Sequence, residues 1–412
     1  MSLNTQILIA AILGVAFGFL LIQFPATQFF DVSIYGLGIA SSIFIGLLKM
    51  LLVPLIFSSI LVGVSNLEGG TQLGRVWKIT LACCVTTTTL ALILGLASTH
   101  LFNVGQGVDI TLFKDAMAQH QTPDTLTPSS FFTNFIQNTL INPFKAFSDG
   151  NVLAVVVFAL LLGLALVRGG ERFSAIKQLA HQFFDIMMLL VSWVMKVAPI
   201  GIFALLAKLI AIEDISILSR LAEFAVVVTG TTIFHGVVVL PLLLWIFGKM
   251  DPITFFKGTR AALITAFATS SSSATLPLSL KCAQENLGVR PQIAGFVIPF
   301  GSQLNMDGTA LYEAAAALFI ANLMGLELSI TQQLIVCLTA MIASLGAPGI
   351  PSAGMVTMIM VLQSVGLPAE AIAILLPIDR ILDTVRTVVN VQGDMMISVV
   401  VDRHTRISES TS

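Results

Sequence analysis

The chain has 412 residues, of which 56% are hydrophobic and 10% charged, and a formal net charge of −2. Soluble domains carry about 25% charged residues, so this composition and a mean hydropathy of +0.96 exclude a soluble protein and indicate a polytopic membrane protein. Near-neutral charge leaves no basic footprint for nucleic acid and no polybasic lipid anchor.

In the front portion, apolar stretches lie at roughly 5–24, 34–64, 76–102, 151–167, 183–211 and 221–248, the lengths of membrane-spanning helices. The first, from Ile7 to Ile22, lacks a basic n-region and a cleavage site, and reads as a retained span, not a signal peptide. The third holds Cys83-Cys84-Val85-Thr86-Thr87-Thr88-Thr89, an unusually hydroxylated run; such hydroxyls can also simply bond back to the carbonyl one turn earlier. Asn103 to Ser130, the longest polar stretch, reads as a loop. The four cysteines (Cys83, Cys84, Cys282, Cys337) have no metal-ligand spacing and read as free thiols. His100, His120, His181, His235 and His404 are scattered singly and read as interface or loop residues.

From Asp251 onward the apolar runs are shorter and interrupted. One predicted re-entrant hairpin runs from about Pro252 to Gln284, with four consecutive serines, Ser270 to Ser273, at its tip. A second runs from about Thr331 to Val365, and its tip, Ser344 to Gly354, contains three glycines and two prolines that force an unwound turn. A half-helix N-terminus follows each tip and favours an anionic group. Between them, Gly301-Ser302-Gln303-Leu304-Asn305-Met306-Asp307-Gly308-Thr309-Ala310 breaks a span, exposing carbonyls beside a carboxylate, which suits a small alkali cation.

The final apolar stretch carries Asp379, Asp383, Arg386, Asn390 and Asp394. At about 100° per residue these fall within roughly 80° of one another. Unpaired charges at bilayer depth cost at least ~2.5 kcal/mol each and mark a protein interior or a transport path. Three acids against one base are poorly balanced for a purely structural ion-pair network. The serine run also raises an intramembrane hydrolase, but no histidine or lysine is placed near it as a base. Lys and Arg cluster in alternate gaps, which puts both termini on the cytoplasmic side. Parity then makes the two hairpins enter and leave on one side.

The SSSSATLP tip, the NMDGTALY break, the GAPGIPSAG tip and the DRILDTVRTVVNVQGD helix resemble the glutamate/aspartate transporter family, the dicarboxylate/amino acid:cation symporters that include excitatory amino acid transporter homologues. LLKMLLVPLIFSSILVGV and KVAPIGIFALLA resemble it too, so the likeness covers nearly the whole chain. It implies an all-α fold of eight transmembrane helices and two re-entrant helical hairpins with inverted repeats, assembled as a homotrimer among membrane lipid. Residues 1–75 and 104–218 would form a static scaffold. Residues 76–103 and 219–406 would form an elevator-type transport domain, comprising hairpin 252–284, broken span 289–325, hairpin 331–365 and final span 370–403. Residues 407–412 would be a cytoplasmic tail.

Carried over from the family, Arg386 would pair with a substrate carboxylate and Asp383 with its ammonium group, with hydrogen bonds from Thr309, Thr387 and Asn390. Backbone groups at Ser271, Ser272, Ile350 and Gly354 would cradle the carboxylates. One sodium site would use Asp394 with carbonyls of Gly301, Asn305 and Asn390. A second would use Gln303, Ser344, Leu345 and Ala347, and a third Thr87, Thr88, Asn305 and Asp307. Glu313 stands where animal glutamate carriers place a glutamate linked to proton coupling, and is the expected proton carrier. The implied function is sodium-driven uptake of L-aspartate or L-glutamate across the inner (plasma) membrane. It is not enzymatic and uses no cofactor beyond the coupling ions. Proton-coupled glutamate or C4-dicarboxylate symport is the alternative, and a neutral amino acid carrier or an anion channel lies further off.

Overall fold

The computed structural model describes residues 3–25, 27–65, 73–106, 137, 140–149, 151–212, 216–346 and 353–409, and among them it holds helices and no strand. In chain order these are α1 (Leu3–Ile22), α2 (Gln28–Ser65), α3 (Leu73–Leu101), α4 (Pro143–Asp149), α5 (Val152–Gly169), α6 (Ser174–Ile212) and α7 (Ser216–Phe234). The last continues through two π-helical turns, His235–Val239 and Leu244–Gly248. Then come α8 (Pro252–Thr269), α9 (Ser272–Lys281), α10 (Pro291–Leu304), α11 (Asp307–Leu323), α12 (Ile330–Gly346), α13 (Ala353–Ser364) and α14 (Ile372–Glu409).

Local chemistry sets the boundaries. Asp251 caps α8 by accepting from the Thr254 N–H at 2.9 Å, with Pro252 supplying the first helical φ. The Thr254 N–H and hydroxyl also hold the exposed Asp251 carboxyl below its ordinary range. Asn151 caps α5 on the Ala154 N–H at 3.2 Å. Between α10 and α11, Asn305 and Met306 leave helical geometry (φ −118° at both). The expected broken span is therefore two half-helices meeting at Asn305–Asp307.

Among the described residues, Gln28–Leu47, Arg75–Leu101 and Leu218–Gly248 are individually long and apolar enough to cross a membrane, and the bent pair Val157–Val194 with Lys196–Ile212 brings the count up to four. α2 and α6, at 38 and 39 residues, are about 57 Å long. That exceeds a ~30 Å hydrocarbon core, so they tilt or protrude. Large apolar side chains such as Val32, Val226 and Ile264 stand exposed on the surface of the single chain.

α6 packs along both α1 and α2, and α5 along α2. In the remainder, α3 lies along α11, and α7, α8, α10 and α11 all pack on α14. α2 also touches α10, α12 and α13. α11 is enclosed on every side, with every residue from Asp307 to Ala321 buried. Its approach to α3 depends on Gly95, where a Cβ would lie 2.5 Å from the Leu311 carbonyl oxygen. Small residues at membrane helix crossings serve this purpose.

One expectation changes at its edge. The final helix reaches Glu409, six residues past the expected end at 403. Arg406 donates to Asp402 at 2.7 Å and to the Gly288 carbonyl at 2.9 Å, which holds this last turn to the loop before α10. The expected loop from Asn103 begins with turns at 103–106, and its remainder to Ser130 lies outside the described residues.

Candidate ligand and cation site

The α14 residues Asp379, Asp383, Arg386, Asn390 and Asp394 are all buried, as one face of a helix packed on α7, α8, α10 and α11 must be. Arg386 is 1% exposed. Its Nη2 donates to Asp379 Oδ1 at 2.7 Å and to Asp383 Oδ1 at 3.0 Å. Arg380 Nη1 reaches the other Asp383 oxygen at 3.4 Å. Arg386 Nε and Nη1 are buried without a hydrogen-bond partner among the described residues. Such donors are costly to leave unmet, so the guanidinium is half satisfied. The same cation lies over the Tyr312 ring, 4.0 Å from its centre. On the hairpin side sits Gly354, where a Cβ would be 3.5 Å from Nη1 and 3.0 Å from Thr309 Cγ2. Thr387 is buried next to Arg386 in sequence.

The break between α10 and α11 faces this helix. Asn390 Oδ1 accepts from the Gly308 N–H at 2.8 Å, and its Nδ2 lies 3.3 Å from Thr309 Oγ1. Gly308 permits the close contact, because a Cβ there would be 2.7 Å from the Arg386 carbonyl oxygen. Asn305 Nδ2 reaches Asp394 Oδ1 at 3.4 Å, and Gly301 packs directly on the Asp394 carboxylate. The first expected cation set (Gly301, Asn305, Asn390, Asp394) thus has its members along one seam.

The third set converges most closely. Thr88 donates to Asp307 Oδ1 at 2.8 Å, and Thr87 reaches the same oxygen at 3.1 Å and Asn305 Oδ1 at 3.3 Å. Two hydroxyls, an amide oxygen and a carboxylate make a compact cluster of hard oxygen ligands in the buried interior. Beside it stands a residue that sequence reasoning missed. His235, fully buried in the first π-turn of α7, places Nε2 3.5 Å from Asp307 Oδ2. Isolated in an apolar run, it carried no signal of this role in the sequence.

At the first hairpin tip Ser270 takes φ +50°, ending α8, and its buried hydroxyl has no partner among the described residues. Ser271 is extended and caps α9 on the Ala274 N–H at 3.2 Å, and Ser272 opens that helix. At the second tip, Ser344 bonds back to Met341 at 2.8 Å, and Leu345 lies in the last turn of α12. Ala347 and Ile350 lie outside the described residues, and Gln303 is described only as backbone within α10. The second cation set is therefore not assembled among the described residues. Glu313 is fully buried, with Oε1 accepting from the Thr357 hydroxyl of α13 and Oε2 without a partner among the described residues. It thus links the enclosed helix to the second hairpin.

Known proteins share this chain's sequence over its length. An excitatory amino acid transporter of Caenorhabditis elegans is 34% identical, over 98% of this chain and 89% of its own. Excitatory amino acid transporter 3 of Oryctolagus cuniculus is 33% identical over 96% and 84%, and that of Homo sapiens 36% identical over 87% and 77%. The sodium:dicarboxylate symporter family is matched across residues 3–404. With charged residues gathered at the centre of apolar helices and a match across almost its full length, this chain is a multi-pass membrane protein belonging to the sodium:dicarboxylate symporter family.

Proposed function

We propose that the protein is a sodium-coupled symporter for an acidic amino acid, L-aspartate or L-glutamate. The observation that carries this is Arg386, whose Nε and Nη1 lack partners while Asp383 stands 3.0 Å from its Nη2. A substrate carboxylate meets the free donors, and guanidinium geometry suits a two-point grip. A grip through both terminal nitrogens needs Nη2 to release one aspartate. Asp383 released in this way is the acceptor that an α-ammonium group requires, so the internal ion pair exchanges for two external ones. A plain dicarboxylate has no group for the freed Asp383, which favours an amino acid.

Sodium is the coupling ion on chemical grounds. The Thr87, Thr88, Asn305 and Asp307 oxygens form a charged, hydroxyl-rich cluster that a small hard cation neutralises, and Asp394 with Gly301, Asn305 and Asn390 offers a second place. The remaining set, Gln303, Ser344, Leu345 and Ala347, is completed when the second hairpin closes. If sodium holds that hairpin shut, it removes the open population that weakens substrate binding, and the two affinities rise together. Glu313 carries a proton along with the sodium ions; its complete burial, with Oε1 held by the Thr357 hydroxyl and Oε2 without a partner among the described residues, supports that role.

The architecture we propose has eight spans and two re-entrant hairpins in inverted repeats, with both termini cytoplasmic in the inner (plasma) membrane. Residues 1–75 and 104–218 form the trimeric scaffold. Residues 76–103 and 219–406 move as an elevator. The mutual packing of α1, α2, α5 and α6 on one hand, and of α3, α7 and α8–α14 on the other, supports that division.

The test is radiolabelled L-aspartate uptake into proteoliposomes, with an inward sodium gradient compared against a proton gradient alone. Concentrative uptake that requires sodium is expected. Succinate uptake without aspartate uptake overturns the amino acid reading, and uptake with protons alone overturns the sodium reading.

A further inference from the structure

A cavity of about 340 Å³ lies between α3, the π-helical end of α7 and α14, and meets the candidate cation cluster at Thr87. Its walls are almost wholly apolar, with Phe247 and Val400 among them, and its polar groups sit at the two ends. Lys78 and His404 stand at one end and Thr86 and Thr87 at the other. From Lys78 to Thr87 is nine helical residues, about 13 Å of rise. That is most of the ~15 Å depth of one leaflet of a ~30 Å hydrocarbon core. The α7 wall belongs to a surface of exposed apolar side chains, with Trp245 61% and Val238 44% exposed. Lys78 itself is exposed and forms no ion pair among the described residues.

We infer that this groove binds one acyl chain of an anionic phospholipid, with the phosphate of its headgroup at Lys78. Three observations agree on that occupant. The walls offer nothing to a polar solute, and the depth suits a hydrocarbon tail. Lys78, the one lysine or arginine among the residues that line the groove, stands where the tail would emerge, so charge complementarity selects an anionic headgroup over a zwitterionic one.

The inner end of the groove gives the lipid a consequence. Thr87 lines it and also holds its hydroxyl 3.1 Å from Asp307. A tail seated against that turn of α3 fixes the position of one ligand of the oxygen cluster.

The experiment is native mass spectrometry of the purified full chain, equilibrated with phosphatidylglycerol and phosphatidylcholine at equal mole fraction. Preferential retention of phosphatidylglycerol is expected. Lys78→Gln should reduce that preference about fivefold, the worth of one basic residue at an anionic lipid surface, and Lys78→Arg should keep it. Ala82→Trp, which fills the groove wall, should lower retention of both lipids. Equal retention of the two lipids by the unaltered chain overturns the inference. So does a preference that survives Lys78→Gln, or retention undiminished by Ala82→Trp. A several-fold rise in retention on deleting residues 410–412 would mean that the chain's own end occupies the groove, and would overturn it too. The readout is lipid retention alone and does not depend on transport.

Discussion

The guanidinium of Arg386 and the ring of Tyr312 are stacked, with the cation 4.0 Å from the ring centre and both residues buried. A desolvated pair of this kind is worth about 2 kcal/mol. The Tyr312 hydroxyl meets no hydrogen-bond partner at bonding distance among the described residues, so the prediction rests on the ring. Tyr312→Phe should leave aspartate affinity nearly unchanged, whereas Tyr312→Leu should weaken it by about thirtyfold. Isothermal titration at saturating sodium distinguishes the two, and an equal loss in both variants would assign the effect to the hydroxyl.

The oxygen cluster makes a separate prediction. Thr88 donates a 2.8 Å hydrogen bond to Asp307, and bonds to charged groups contribute about 1.5–3 kcal/mol. Thr88→Val should raise the sodium concentration for half-maximal uptake at least tenfold or so. Maximal uptake at saturating sodium should be retained. A variant with an unchanged sodium curve would remove α3 from the coupling.

Glu313 and Thr357 join α11 to the second hairpin. If the carboxyl carries a proton through the cycle, Glu313→Gln should flatten the pH dependence of uptake while sodium dependence persists. Thr357→Val keeps the carboxyl and should leave pH dependence in place, although altered in position. Uptake by Glu313→Gln with the original pH profile would rule out the proposed role.

Ser270 holds a left-handed conformation, φ +50°, at the first tip. Side chains cost roughly 1–2 kcal/mol there and glycine costs little. Ser270→Gly should match or exceed the parent in thermal unfolding. Ser270→Val, β-branched in the same conformation, should unfold at a lower temperature. Equal melting of the two would show that the tip relaxes freely.

Much of this arrangement was legible in the residues. The spacing of Asp379, Asp383, Arg386, Asn390 and Asp394 predicts one helical face, and the glycine, proline and serine runs predict where helices stop. Partners on other helices were not legible, because no periodicity within α14 indicates what it packs against. Tyr312 is an instance, although it had a signal. It is one of two tyrosines in the chain, three residues after Thr309 and beside Glu313, which places it on the face of α11 that the site uses. His235 had none, since a lone histidine in an apolar run reads alike whether it meets a carboxylate or fills a gap. The mutual pairing of Arg386 with Asp379 and Asp383 was foreshadowed only as an imbalance of acids over bases.

The complete enclosure of α11 has a mechanical implication. A helix with neighbours on its whole circumference has no free side along which to slip or roll, and displacing it alone would open voids all around it. The chemical groups at its N-terminal end, Asp307 and Thr309, are therefore held against α3 and α14 by packing. In the transport cycle we propose, access to the two sides would come from what surrounds this unit, by a hairpin lifting or by the whole assembly shifting against its neighbours. Affinity would then travel with the site, and directionality would be set at its doors.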